Sequence, residues 1–88
     1  PESMGSVEPG MERLHIDLGR SDGIRPTDIV GAIANEAKIP GKRIGQIEIL
    51  DHHTFVDVPS DSTDRVLRAM RNARLRGSGG LWDPSRQE

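Results

Sequence analysis

The chain has 88 residues, no cysteine, and two aromatic side chains, Phe55 and Trp82. That is one domain at most, with a marginal core and neither a disulfide nor a thiolate metal site to staple it. The net charge of −2 counts against a generic nucleic-acid binder, no apolar run nears the ~20 residues of a membrane helix, and no signal peptide opens the chain, so a cytoplasmic protein is expected.

Residues 1–10, Pro-Glu-Ser-Met-Gly-Ser-Val-Glu-Pro-Gly, have no periodicity and read as a linker or remnant. From Glu12 to Gly19 the chain alternates. Leu14, Ile16 and Leu18 form an inward set and His15 and Asp17 an outward set, which predicts a first strand. Gly19 to Arg25 is a glycine- and arginine-containing loop. Pro26 opens a helix, where its missing N–H costs nothing, and Asp28 suits the positive end of the dipole. Ile29, Val30, Ile33, Ala34 and Ala37 make one apolar stripe, and Pro40-Gly41 stops the helix.

Ile44 to Asp51 is predicted as the second strand, with Ile47 and Ile49 inward and Gln46 and Glu48 outward. His52 and His53 turn the chain into a third strand that ends at Pro59. There Thr54, Val56 and Val58 point in, and His53, Phe55 and Asp57 point out. Ser60, Asp61 and Ser62 offer N-caps for a second helix. Its buried stripe is Val66, Leu67, Met70 and Ala73, with Arg65, Arg68 and Arg71 outside. The order is β-α-β-β-α, and a last strand should follow. Arg74-Leu75-Arg76 begins one, Gly77-Ser78-Gly79-Gly80 interrupts it with linker chemistry, and Leu81-Trp82 resumes it or belongs to an appended segment. The expected organisation is a folded domain over 11–76, its last strand extending as far as 82 if it forms, and a flexible glycine-rich tail over 77–88. The fold class is α+β, an RRM-like β-α-β-β-α-β sandwich with two helices on one face of an antiparallel sheet.

Charge is unevenly spread. Glu2, Glu8, Glu12, Asp83 and Glu88 lie in or beside the ends, while Arg20, Arg25, Lys42, Arg43, Arg65, Arg68, Arg71, Arg74 and Arg76 lie in the middle. The folded part can therefore present a basic patch inside a mildly acidic chain.

From about Glu12 to Arg76 the chain resembles the DbpA-type RNA-binding domain found at the C-terminus of some bacterial DEAD-box RNA helicases. The resemblance is carried by Gly19-Arg20-Ser21-Asp22-Gly23-Ile24-Arg25-Pro26, Ile29-Val30-Gly31-Ala32-Ile33-Ala34 and Ile39-Pro40-Gly41. It continues in Ile44-Gly45-Gln46-Ile47-Glu48-Ile49 and Phe55-Val56-Asp57-Val58-Pro59. It implies a divergent RNA-recognition-motif fold and an RNA-targeting module of a larger enzyme whose ATPase core lies upstream. Two departures stand out. The sheet positions that hold aromatics in an ordinary RNA-recognition motif hold His15, His53 and Phe55 here, and Asp17 and Asp57 share their face, where they would repel phosphates. The glycine run falls where the last strand should continue.

The candidate RNA contacts follow. Phe55 stacks on a base, with His15 and His53 beside it; otherwise it is an aromatic covered by Trp82. Arg20 and Arg25 flank the loop before the first helix, whose N-terminus suits phosphate, unless Arg25 pairs with Asp22 or Asp28. Lys42 and Arg43 steer backbone phosphates or simply start a strand. Arg74 and Arg76 contribute at the sheet edge if the last strand forms. Arg65, Arg68 and Arg71 read as a solvated face. His15 and His53 alone make a poor metal site, and neither a nucleophile nor a phosphate loop is visible, so no metal, no cofactor and no catalysis are expected.

The reading is a non-catalytic module that binds structured RNA, in ribosomal RNA or a ribonucleoprotein assembly, and targets an ATP-dependent helicase to it, without a membrane. The rival is an RRM-like protein-interaction or dimerisation module, self-associating through the sheet edge or the Trp82 tail. The acidic balance, the two sheet aspartates and the tail tryptophan favour the rival.

Overall fold

In the strand β1 (Met11–Ile16), alternation sends Leu14 and Ile16 into full burial and leaves His15 on the opposite face. The computed structural model describes residues 7–71 and 82–84. The remaining elements are the helix α1 (Pro26–Glu36), the strands β2 (Ile47–Ile49) and β3 (Thr54–Pro59), the helix α2 (Thr63–Met70) and the strand β4 (Trp82–Pro84). The sheet is antiparallel in the order β2-β3-β1-β4, the RRM-like α+β arrangement expected from the element order.

The pleat sorts the residues. Leu14, Ile16, Val56 and Val58 meet Ile29 and Ile33 of α1 and Val66 and Met70 of α2 in one core. Arg65, Arg68 and Arg71 are exposed, as a solvated helix face should be. The helix α1 starts as its sequence dictates: Pro26 holds the first position, and Asp28 Oδ2 accepts the Arg25 N–H at 2.9 Å. The helix ends before Lys38, whose φ of +61° reverses the chain and drops Ile39 into the core.

Two elements differ from expectation. The second strand was expected over Ile44–Asp51 but spans only Ile47–Ile49, because the chain leaves a 3₁₀ turn at Gly41–Arg43 and meets β3 first through a bulge. Gly45 N–H donates to Asp57 O while Asp57 N–H donates to Gln46 O, so two residues oppose one. At the other end Leu50 N–H donates to His53 O at 2.7 Å, and Asp51 and His52 make the turn. The last strand is the second difference, in extent: of the two readings of Trp82, the resumed strand is the one found, and it runs on to Pro84. Residues 82–84, which composition puts in the tail, pair with β1 in the register Ile16↔Trp82, His15↔Asp83 and Leu14↔Pro84. That register places Trp82, 9% exposed, on the core side next to Ile16.

Gly19 locks the loop before α1 to the β2–β3 turn. Its N–H is held by Asp22 Oδ2 at 3.0 Å, and the next two amides, of Arg20 and Ser21, donate to Leu50 O and Asp51 O. A Cβ at Gly19 would lie 2.3 Å from Leu50 O and 2.6 Å from His53 N, a space no side chain fits. Thr54 ties the same junction from inside, its hydroxyl donating to Leu18 O at 2.7 Å.

Candidate nucleic-acid interface

The register that pairs β1 with β3 sets His15 opposite Phe55. Both point away from the helices, and their ring centroids are 5.4 Å apart at 52°. His53, one residue before β3, brings its ring to 5.0 Å from that of His15. The three rings expected to share a face therefore form one contiguous patch. Phe55 is half-buried and lies beside His15 in this patch, while Trp82 lies on the other side of the sheet. The alternative of a Trp82 cover over Phe55 is thereby corrected.

The histidines are wired in series. Asp83 Oδ1 lies 3.3 Å from His15 Nδ1, and His15 Nε2 lies 2.9 Å from His53 Nδ1. With both rings neutral, the proton placement that satisfies all three groups puts hydrogen on Nδ1 of each ring. Each ring is thereby oriented by its neighbour. Both nitrogens of His15 are engaged, which leaves none aimed at a shared metal. Among the described residues no group of three or more His, Cys, Asp or Glu is arranged to hold one.

Asp57 behaves differently from its expected role. It was placed on the open face as a charge that repels phosphate. It is instead 2% exposed and held by Arg13, Nε to Oδ1 at 2.8 Å and Nη2 to Oδ2 at 3.1 Å. The fork of an arginine matches a carboxylate in this way, and the pair cancels its own charge. Asp17 is exposed beyond the end of β1. Glu48, opposite Phe55 on β2, is the acidic residue of the strands that adjoins the ring patch from that side.

Arg20 stands at the hairpin end of the sheet. Its guanidinium donates to Asp51 Oδ1 and to Ile49 O, both at 3.0 Å, yet the side chain is 69% exposed. Ser21 and His52 close the same junction at 3.1 Å. Arg25 is exposed immediately before α1, where the Asp28 carboxylate already caps the helix and competes with an incoming anion. Lys42 and Arg43 are exposed on the 3₁₀ turn, with Arg43 3.8 Å from Asp61. They sit at the bulged end of β2, about 13 Å along the strand from the Leu50 end at ~3.3 Å per residue. The predicted residues thus fall into a hairpin-end group of Arg20, His15, His53 and Phe55 and a bulge-end group of Lys42 and Arg43, with Arg25 apart. Arg74 and Arg76 lie outside the described residues.

Sequence reasoning missed Arg13 and Asp83. The signal for Arg13 was in the chain: once His15 is set opposite Phe55, Arg13 falls opposite Asp57. Asp83 had no such signal, since its position depends on where β4 docks.

Comparison with known proteins is consistent with this geometry. The sequence pattern of the family described as the DbpA RNA binding domain matches residues 13–79. An ATP-dependent RNA helicase DeaD of Haemophilus influenzae is 37% identical over 71 residues, 81% of this chain and 11% of that protein. Proteins of the same name from Klebsiella pneumoniae and Escherichia coli K12 are 37% and 35% identical over 65 residues, 74% of this chain and 10% of each protein. The chain spans about a tenth of the length of these relatives.

Proposed function

The chain belongs to the DbpA RNA-binding-domain family, and on that premise we propose that it binds structured RNA and delivers an ATP-dependent helicase to it. The observation that carries the reading is the ring patch of His15, His53 and Phe55 on the open side of the sheet, with Arg20 at the hairpin end of the same sheet. Rings on an open sheet stack on unpaired bases, and guanidinium groups at its margin hold the phosphates between them. Phosphate contacts supply affinity, and base contacts supply any specificity. The target class is ribosomal RNA or a ribonucleoprotein assembly, in the cytoplasm. The domain itself does no chemistry; ATP hydrolysis belongs to the helicase core of the parent protein. The relatives' name, ATP-dependent RNA helicase, supports that assignment.

The rival, a protein-interaction module, leaned on the acidic balance, the aspartates Asp17 and Asp57, and the Trp82 tail. Asp57 is paired with Arg13, and Trp82 fills the core beside its own β1. Both observations weigh toward RNA.

Titration of the chain with a looped RNA hairpin, followed by two-dimensional NMR, tests the proposal. Shifts are expected at Arg20, His15 and Phe55. Phe55→Ala should weaken binding by about 1–3 kcal/mol, the worth of one stacked base. Unchanged affinity in that variant would remove the sheet face from the interface.

A further inference from the structure

At the bulged end of β2, away from the ring patch, the described residues line a pocket of about 410 Å³. That volume falls within the roughly 300–1,000 Å³ of small-molecule sites. Its walls differ in chemistry. Met11, Ile44 and Gly45 supply apolar surface, and Lys42 and Arg43 supply positive charge. Glu8 and Gln46 add acceptors and donors, and Asp57, already paired with Arg13, also lines it.

The fold has made this space on purpose-shaped backbone. The bulge at Gly45 and Gln46 turns the strand, as bulges do beside binding sites. Gly45 lets Met11 and Asp57 pack directly against the bulge: a Cβ there would stand 3.0 Å from Met11 Cε and 3.1 Å from Asp57 Cβ. Among the described residues the Arg43 side chain is held by a 3.8 Å surface contact to Asp61, with both side chains largely in water, so it is easily recruited.

We propose that this pocket takes a single everted nucleotide of the bound RNA, with the base against Met11 and Ile44 and its phosphate on Lys42 and Arg43. The proposal rests on the RNA-binding reading above. A base within a duplex cannot enter such a pocket, so the nucleotide is an unpaired one from a loop or bulge. The thioether of Met11 adapts to any flat ring. Glu8 selects among bases, because a carboxylate only accepts hydrogen bonds. Bases that carry an amino group fit it, whereas uracil presents an N–H between two carbonyl oxygens.

The test uses the chain with adenosine 5′-monophosphate, uridine 5′-monophosphate and ribose 5-phosphate in separate NMR titrations. Adenosine monophosphate should shift the Gly45 and Gln46 amides and the Met11 methyl, and bind several-fold more tightly than the other two. Lys42→Gln, a change on an exposed side chain, should weaken it about threefold to tenfold. Equal binding of ribose 5-phosphate, or shifts confined to His15 and Phe55, overturns the pocket. A parallel titration with a bulge-containing hairpin separates the two readings. Shifts at Phe55 and Arg20 without Gly45 would sink the pocket and leave RNA binding standing. If the hairpin fails to bind at all, the RNA reading falls, and the everted-nucleotide proposal falls with it whatever the mononucleotides do.

Discussion

At the residue scale, two positions have costs far larger than their composition implies. Gly19 has backbone of the β2–β3 turn within 2.3 Å of where its Cβ would be. Neither partner is a flexible side chain that can step aside. Gly19→Ala should cost roughly 3 kcal/mol or more, the upper range for overpacking, and urea unfolding would show it as a lowered midpoint. Arg13 is the other. Arg13→Met strands the Asp57 carboxylate in a site where it is 2% exposed, and about 3–5 kcal/mol of destabilisation should follow. The double variant Arg13→Met, Asp57→Leu should recover most of that loss, because two apolar groups leave no buried charge. A double variant as unstable as the single one would mean that the pair does more than cancel itself. The same two residues show how far reading a strand alone can go. Parity put Asp57 on the open side correctly, but parity says nothing of what covers that side.

At the element scale, β4 is the piece with the least local support and the most consequence. Three residues pair with β1, yet they bring Trp82 into the core and Asp83 onto His15. Trp82→Ala should lower stability by about 3 kcal/mol, as large-to-small changes of buried aromatics do. Through Asp83 it should also loosen the ring patch, read as a shift of the His15 and His53 ring resonances. If those resonances stay fixed while stability falls, β4 acts on the core alone. The second strand makes the complementary point. Ile44-Gly45-Gln46 looks like strand from its alternation, but Gly45 and Gln46 share one partner, so regular pairing starts only at Ile47. Alternation reports which residues are apolar, and it cannot report a bulge.

At the scale of the whole molecule, an acidic chain carries its positive charge in separate places. Arg20 stands at one end of β2 and Lys42 and Arg43 at the other, with the ring patch on the face between the neighbouring strands. Net charge therefore understates what an extended polyanion meets. If Arg20, Arg25, Lys42 and Arg43 each neutralise a phosphate, the logarithm of RNA affinity should fall with the logarithm of salt at a slope of about −3. Fluorescence anisotropy with a labelled hairpin across a salt series measures it. A slope near zero would mean that the arginines are bystanders. No helix among the described residues is long and apolar enough to cross a membrane.

By itself the sequence determined most of the aliphatic core. Leu14, Ile16, Ile29, Ile33, Val56, Val58, Val66 and Met70 are all buried where their spacing put them, because burial follows a period of two or 3.6 that any window reveals. It also determined the order of elements, the start of α1 at Pro26 and the side of the sheet on which His15 and Phe55 lie. The tertiary structure decided what depends on contact between distant segments. Only the β1–β3 register closes Arg13 on Asp57, 44 residues away. Only the docking of β4 brings Asp83 to His15 across 68 residues and turns Trp82 from a tail residue into a core residue. Local pattern carries the first kind of information because helices and strands repeat along the chain. The second kind is set by which edges and charges meet once the chain has closed.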